Sequence, residues 1–230
     1  MLTLEGVRLT RGDWTLSAEL TVQTGSRVAV IGPSGAGKST LLDLISGFVE
    51  PTGGRILWDD TLLTGQAPGA RPISLLFQDG NLFPHLSAFQ NVALGLRPSL
   101  RLTPAERDRV RASLSRVGLS GMEDRKPGAL SGGQRSRVAL ARMLLRGEPL
   151  VLLDEPFAAL GPALKDEMLA LLLDLIAEIG ATLLMVTHDP EDARALKGQT
   201  ILVADGVAHP PEDTGALFSN PPAALAAYLG

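Results

Sequence analysis

Val28-Ala29-Val30-Ile31 runs without a gap into Gly32-Pro33-Ser34-Gly35-Ala36-Gly37-Lys38-Ser39. The four apolar residues read as a strand covered on both faces, and the chain from Lys38 onward reads as a helix. A glycine-rich connection ending in Lys-Ser between a strand and a helix is the phosphate-binding loop pattern. Its glycines let backbone N–H groups turn inward around phosphate oxygens, which side chains would otherwise obstruct. The start of the following helix adds positive potential. Lys38 is placed to reach the β and γ phosphates, and Ser39 to put its hydroxyl on Mg²⁺. The order of strand, loop, lysine and helix argues against a ligand-free turn.

Working outward, Leu150-Val-Leu-Leu-Asp154-Glu155-Pro156 is an apolar strand ending in two adjacent carboxylates. Charge at a sheet end is costly without a partner. Asp154 can hold a divalent cation through water, and Glu155 can polarise a water that attacks a phosphate. Read alone, this could equally be a solvated strand end before a turn. Leu130-Ser131-Gly132-Gly133-Gln134 opens a helix that runs to about Arg146. Ser131 and Gln134 fit a capping box. Capping does not explain two consecutive glycines, which cost helix stability. A bare helix start with small residues is a second anion site, one more than a single nucleotide on a single chain requires.

Strand-like runs recur at Arg27–Ile31, Arg55–Trp58, Ile73–Phe77, Leu150–Leu153, Thr182–Thr187 and Thr200–Ala204, with helical segments between them. This pattern predicts an α/β fold with a parallel sheet. From Ser87 to Arg146 there are helix signals only. Ser87–Gln90, Thr103–Glu106 and Ser131–Gln134 each carry capping-box form, so an all-helical insert interrupts the core. Pro162 opens a long helix that Gly180 follows, with Leu164, Met168, Leu171, Leu172, Leu175 and Ile179 at helical spacing. The stretch from Ala208 to Gly230 is rich in Pro and Ala and reads as peripheral.

Composition limits the function classes. The chain has 230 residues, 45% of them hydrophobic, and a formal charge of -4 from 21 basic and 25 acidic residues. Nothing resembles the basic field of a nucleic-acid binder. There is no cysteine, which removes disulfides and thiolate chemistry. The N-terminus lacks the pattern of a signal peptide. The most apolar stretch, Met168 to Val186, is interrupted by Asp174, Glu178 and Gly180, so no membrane span is expected.

The ordered set of Gly32–Ser39, Gln78, Leu130–Gln134, Asp154–Glu155 and His188 resembles the nucleotide-binding subunit of ABC transporters across essentially the whole chain. The resemblance implies a P-loop NTPase (RecA-like) core, about 1–86 and 147–207, a helical subdomain, about 87–146, and a C-terminal tail, about 208–230. It implies ATP and Mg²⁺ as cofactors. Nucleotide contacts then fall to Gly32, Pro33, Ser34, Gly35, Ala36, Gly37, Lys38, Ser39 and Thr40, and to Ser131, Gly132, Gly133 and Gln134 of a second copy in a head-to-tail homodimer. Ser39, Gln78 and Asp154 carry over to the metal. Glu155, His188 and Gln78 carry over to catalysis, with His188 contacting the γ-phosphate. Asp189-Pro190 starts a helix without any catalytic role. The family stacks adenine on an aromatic residue upstream of the loop, where Trp14 or Arg11 could serve. Ala158-Ala159-Leu160-Gly161 stands where the family has a Ser-Ala-Leu-Asp turn, so the link between two ATP sites through that aspartate is missing here.

Leu75–Leu86, Asn91–Leu96, Leu44–Phe48 and Val203–Gly206 are similar to the importer branch, and within it to the ATP-binding subunits of bacterial thiamine importers. That implies a transmembrane permease partner, a solute-binding protein acting indirectly, no nucleic acid, and a peripheral place on the cytoplasmic face of the inner membrane. Phe77, Phe83 and Leu86 are candidates for the surface that docks the permease, or equally for plain core packing. Importer ATPases for molybdate, iron or polyamine remain open as alternatives. A soluble ABC ATPase acting on DNA or ribosomes generally duplicates the cassette or carries a long coiled coil, and a metabolic P-loop kinase leaves Ser131–Gln134 unexplained.

Overall fold

Val28–Ile31, Leu150–Leu153 and Leu183–Val186 are each exposed by 1% or less, which is why these runs are continuous in apolar residues rather than alternating. They belong to a computed structural model in which residues 1–77 and 81–229 are described. The chain begins β1 (Leu2–Arg11), β2 (Trp14–Val22), β3 (Arg27–Ile31), α1 (Lys38–Ser46), β4 (Gly53–Trp58), β5 (Thr61–Leu62) and β6 (Ile73–Leu76). Next come α2 (Ala88–Ala93), α3 (Pro104–Arg116), α4 (Gly132–Arg146), β7 (Leu150–Asp154), α5 (Pro162–Ile179) and β8 (Thr182–Val186). The last elements are α6 (Pro190–Ala195), β9 (Gln199–Ala204), β10 (Val207–Ala208), β11 (Glu212–Asp213), α7 (Thr214–Ser219) and α8 (Ala223–Leu229).

Two compact units emerge. The first comprises Met1–Ile73, Leu150–Asp154 and Ala181–Gly230. Its strands lie in the order β5-β4-β1-β2-β10-β9-β3-β8-β7, with β11 also on β9. Strands β9, β3, β8 and β7 are mutually parallel, as the apolar runs predict. The other wing is antiparallel: β1 pairs β2 and β4, and β4 pairs β5. The run at Arg55–Trp58 therefore joins an antiparallel wing, not the parallel sheet. Strands β1 and β2 were not among the sequence expectations. In β1 the buried Leu2 and Leu4 are followed by Val7 and Leu9, because the register shifts between Leu4 and Val7 and the period of two is broken. In β2 the alternation Leu16, Ala18, Leu20, Val22 is intact and was legible.

The second unit comprises Ser74–Pro149 and Glu155–Gly180, so the long helix α5 groups with α2, α3 and α4. All three capping boxes form as read: Ser87 with Gln90, Thr103 with Glu106, Ser131 with Gln134. The Ser113 hydroxyl donates to the Ala141 carbonyl at 2.8 Å, joining α3 to α4. Arg116–Glu178 and Arg137–Glu167 pairs tie those helices to α5. The buried stripe of α5 is Met168, Leu169, Leu172, Leu175 and Ile176. Leu164, Leu171 and Ile179 are only half-buried, so the apolar face is turned by about one residue from the expected one.

The C-terminal stretch is not peripheral. Thr214, Leu217, Phe218 and Leu225 are buried, and β10 pairs both β2 and β9.

Candidate functional site

In the first unit, β3 delivers the glycine-rich loop and α1 leaves it. Gly32 has φ 147° and packs on β9 so tightly that a Cβ would fall 2.0 Å from the Val203 carbonyl oxygen. Gly37 caps α1 in the left-handed region, and a Cβ there would lie 2.9 Å from the Trp14 ring. Both glycines are thus demanded by close approach as well as by φ. The Lys38 ammonium lies over the loop and donates to the carbonyls of Gly32 and Pro33 at 2.8 and 3.0 Å. This is a glycine-rich turn, a helix start and an ammonium, chemistry suited to a polyphosphate.

Ser39 and Asp154, far apart in sequence, meet at the sheet end, where the Ser39 hydroxyl donates to Asp154 Oδ1 at 3.2 Å. A hydroxyl and a carboxylate beside a phosphate cradle make an oxygen donor set of the kind Mg²⁺ takes, with phosphate oxygens completing it. The residues present fit that ion. Asp43, one helical turn after Ser39, was missed from sequence. Burial first and then the neighbouring Asp154 push its carboxyl above the usual range, while Arg11 pulls it down. Only the i, i+4 spacing on α1 could have flagged it. Trp14 therefore lies against the loop, and Arg11 lies toward Asp43.

His188 follows β8 with its side chain exposed. Its neighbours are tightly held. The Thr187 hydroxyl donates to Asp192 at 2.6 Å, the Asp189 N–H donates to Thr187 Oγ1 at 3.1 Å, and Asp189 caps α6 through the Glu191 N–H at 2.9 Å. The helix start expected at Asp189-Pro190 is present.

In the second unit, Ser131 accepts from the Gln134 N–H at 3.3 Å and its own N–H donates to Gln134 Oε1 at 2.9 Å. The N–H groups of Gly132 and Gly133 sit in the first turn, where no intrahelical acceptor exists. Their glycines have different causes. Gly133 is buried, and a Cβ would come 2.8 Å from the Leu164 side chain. A Cβ at Gly132 would meet Leu160 at an ordinary 3.5 Å, so packing does not require glycine there. Open access to the helix start is what Gly132 provides. Glu155 takes φ 47°, a left-handed backbone uncommon outside glycine, immediately after β7 ends at Asp154.

Residues 16–158 match the ABC transporter family. The chain belongs to the ABC transporter family. The thiamine import ATP-binding protein ThiQ of Cereibacter sphaeroides is 60% identical over 230 residues, covering the whole of both chains. Among solved structures, the ATP-binding cassette MJ0796, seen as a dimer in a post-hydrolysis state bound to ADP and Pi, is 32% identical. It covers 93% of this chain and 99% of its own, at a TM-score of 0.79. The structure of cbiO1 from Clostridium perfringens, part of the ABC transporter complex cbiONQ, is 29% identical at a TM-score of 0.84, covering 95% of this chain and 90% of its own. The α/β fold is thus that of the ABC ATPase cassette.

Within this ABC cassette the expected phosphate loop, Asp154 and His188 fall in the first unit, and Ser131–Gln134 and Glu155 in the second. Gln78 lies outside the described residues. Gly161, in place of the family's aspartate, is the N-cap of α5 and makes no side-chain cap bond. Among the docking candidates, Phe83 is 47% exposed, while Phe77 and Leu86 are half-buried. Phe83 lines a cleft of about 290 Å³ with Leu75, Leu94, Met143, Arg142 and Arg146. Asn91, fully buried and missed as a structural residue, pins the rim. Its Oδ1 accepts from the Phe83 N–H at 2.8 Å, and its Nδ2 donates to the carbonyls of Phe83, Leu86 and Ser87. Among the described residues no helix is long and apolar enough to cross a membrane.

Proposed function

We propose that the chain is the ATP-hydrolysing subunit of a thiamine importer, acting as a homodimer on the cytoplasmic face of the inner membrane. The contact that carries the chemistry is Ser39 to Asp154, because it puts a cation's oxygen donors beside the phosphate loop. The cargo reading is supported by 60% identity over the full length of a protein named for thiamine import.

In this reading the amides of Gly32 to Thr40 and the Lys38 ammonium hold the β and γ phosphates. Ser39 and Asp154, with Gln78, would hold Mg²⁺, which when bound offsets charge on the β and γ oxygens. Trp14, already against Gly37, supplies the adenine platform. Glu155 accepts a proton from the attacking water, and His188 hydrogen-bonds the γ-phosphate. The open start of α4 in a second copy, at Ser131, Gly132, Gly133 and Gln134, contacts that same phosphate. Hydrolysis then removes the group that both copies grip. The cleft around Phe83, apolar with two arginines at its edge, receives a segment of the permease, and the solute-binding protein acts only through that permease. The helical subdomain of the reading is residues 87–146.

Glu155→Gln should keep ATP affinity within about twofold while turnover falls by about a thousandfold, because the base is lost and the cradle remains. The same variant should sediment as a dimer only with ATP. Ordinary turnover removes Glu155 from the base role, and a monomer at saturating ATP counts against the shared site. For cargo, cells carrying the chain and its co-purifying membrane subunit should take up labelled thiamine, and Lys38→Ala should stop it. Uptake of molybdate, iron or a polyamine instead would reassign the importer.

A further inference from the structure

The C-terminal segment reaches the His188 loop at one point and the helix that follows it, α6, at a second. At the first, the Tyr228 hydroxyl on α8 donates to the backbone carbonyl of His188 itself. At the second, the Arg194 guanidinium, in the last turn of α6, stands 4.7 Å from the centroid of the Phe218 ring on α7. Both contacts come from elements that carry buried apolar residues of their own. Leu225 on α8 is fully buried, as are Leu217 and Phe218 on α7 to within 8% exposure. Thr214 fixes the start of α7 by donating to the Gly198 carbonyl at 2.8 Å and sharing a hydrogen bond with Thr200.

The loop is thereby held from two sides. From inside, Thr187 bonds Asp192, so the turn into α6 is closed. From outside, Tyr228 fixes the carbonyl that defines the 188–189 peptide plane. A peptide plane is rigid, so fixing that carbonyl restricts the ψ of His188 and with it the direction in which its exposed imidazole is presented. His188 lies two residues beyond Val186, the last residue of β8.

We infer that Tyr228, through α8, is a positioning residue for the His188 loop, and that the C-terminal segment serves the hydrolytic site. The consequence for turnover rests on the reading of His188 as the γ-phosphate contact. Tyr228 acts through His188, so its removal should alter the rate and not the affinity. It is the chain's single tyrosine, so one substitution isolates the hydroxyl.

The test uses the full chain with Tyr228→Phe, which keeps the ring and its packing. Amide hydrogen exchange in the segment 183–192 should quicken about three- to tenfold, the loss of one hydrogen bond, while β7 peptides stay unchanged. ATPase kcat should fall by about the same factor with KM for ATP unaltered. In a His188→Ala background the tyrosine change should cost nothing further. Exchange in 183–192 identical to the parent overturns the inference, as does an equal loss of kcat with and without His188. If His188→Ala alone leaves turnover intact, the reading of His188 fails. The exchange result still decides whether Tyr228 holds the loop.

Discussion

Glu106 shows how much one hydrogen-bonded carboxylate can report about local order. It accepts from the Thr103 N–H at 2.7 Å in the capping box of α3, and from Arg97 at 2.6 Å. The Thr103 backbone bond first, and the Arg97 bond second, hold its pKa down to about 2 against an ordinary 4.5. A carboxylate whose folded pKa is lowered adds stability above its unfolded pKa, and that contribution is lost as pH falls through the folded one. The α3 cap should therefore persist at neutral pH and decline from about pH 4.5 down to about 2. A carboxyl-carbon NMR titration should find Glu106 still ionised at about pH 3.5. A midpoint near 4.5 would show that the capping bond is not held in solution. The capping boxes were legible because three residues in sequence contain the whole interaction. The Ser39–Asp154 pair was legible only as two separate motif positions, since nothing local brings residues 115 apart together.

At the scale of the element, the helix that leaves the phosphate loop is fastened at its far end by a buried arginine. Arg71 is 1% exposed, and its guanidinium donates to the carbonyls of Leu44 and Ile45 at 2.9 and 2.8 Å and of Gln66 at 3.1 Å. Glu50 pairs with it at 3.2 Å. The last carbonyls of a helix have no intrahelical donor, and a cation there also meets the negative end of the dipole. Gly47 is required beside it, because a Cβ would fall 2.5 Å from the guanidinium carbon. Arg71→Met should lower unfolding free energy by about 3 kcal/mol, since buried carbonyls lose their donor. Urea denaturation measures it, and a loss below about 1 kcal/mol would mean water replaces the guanidinium. Sequence reading passed over this residue, because an arginine between prolines and strands has no local sign of burial.

Charge is distributed unevenly over the whole molecule. Residues 87–146 carry twelve basic and four acidic side chains, and the rest of the chain nine basic and twenty-one acidic. The net charge of -4 conceals this division. If the α4 start of one copy meets the nucleotide on the other, the basic insert approaches an acidic surface. The ATP-dependent dimer of Glu155→Gln should then weaken roughly tenfold between about 0.05 M and about 0.5 M salt, as screening removes the attraction. Sedimentation at several salt concentrations checks this, and a constant affinity would show that the charge division plays no part. The sequence by itself determined the α/β class, the strand, glycine-rich turn and helix around Gly32–Lys38, and the capping boxes of α2, α3 and α4, because each depends on residues close together in the chain and on periodicities that burial imposes. Tertiary structure alone decided which strands pair in the antiparallel wing, the pairing of Ser39 with Asp154, the burial of Arg71, and the contacts of the C-terminal helices with the His188 loop and α6. Those depend on which distant segments meet, and a meeting between distant segments leaves no periodic trace in either one.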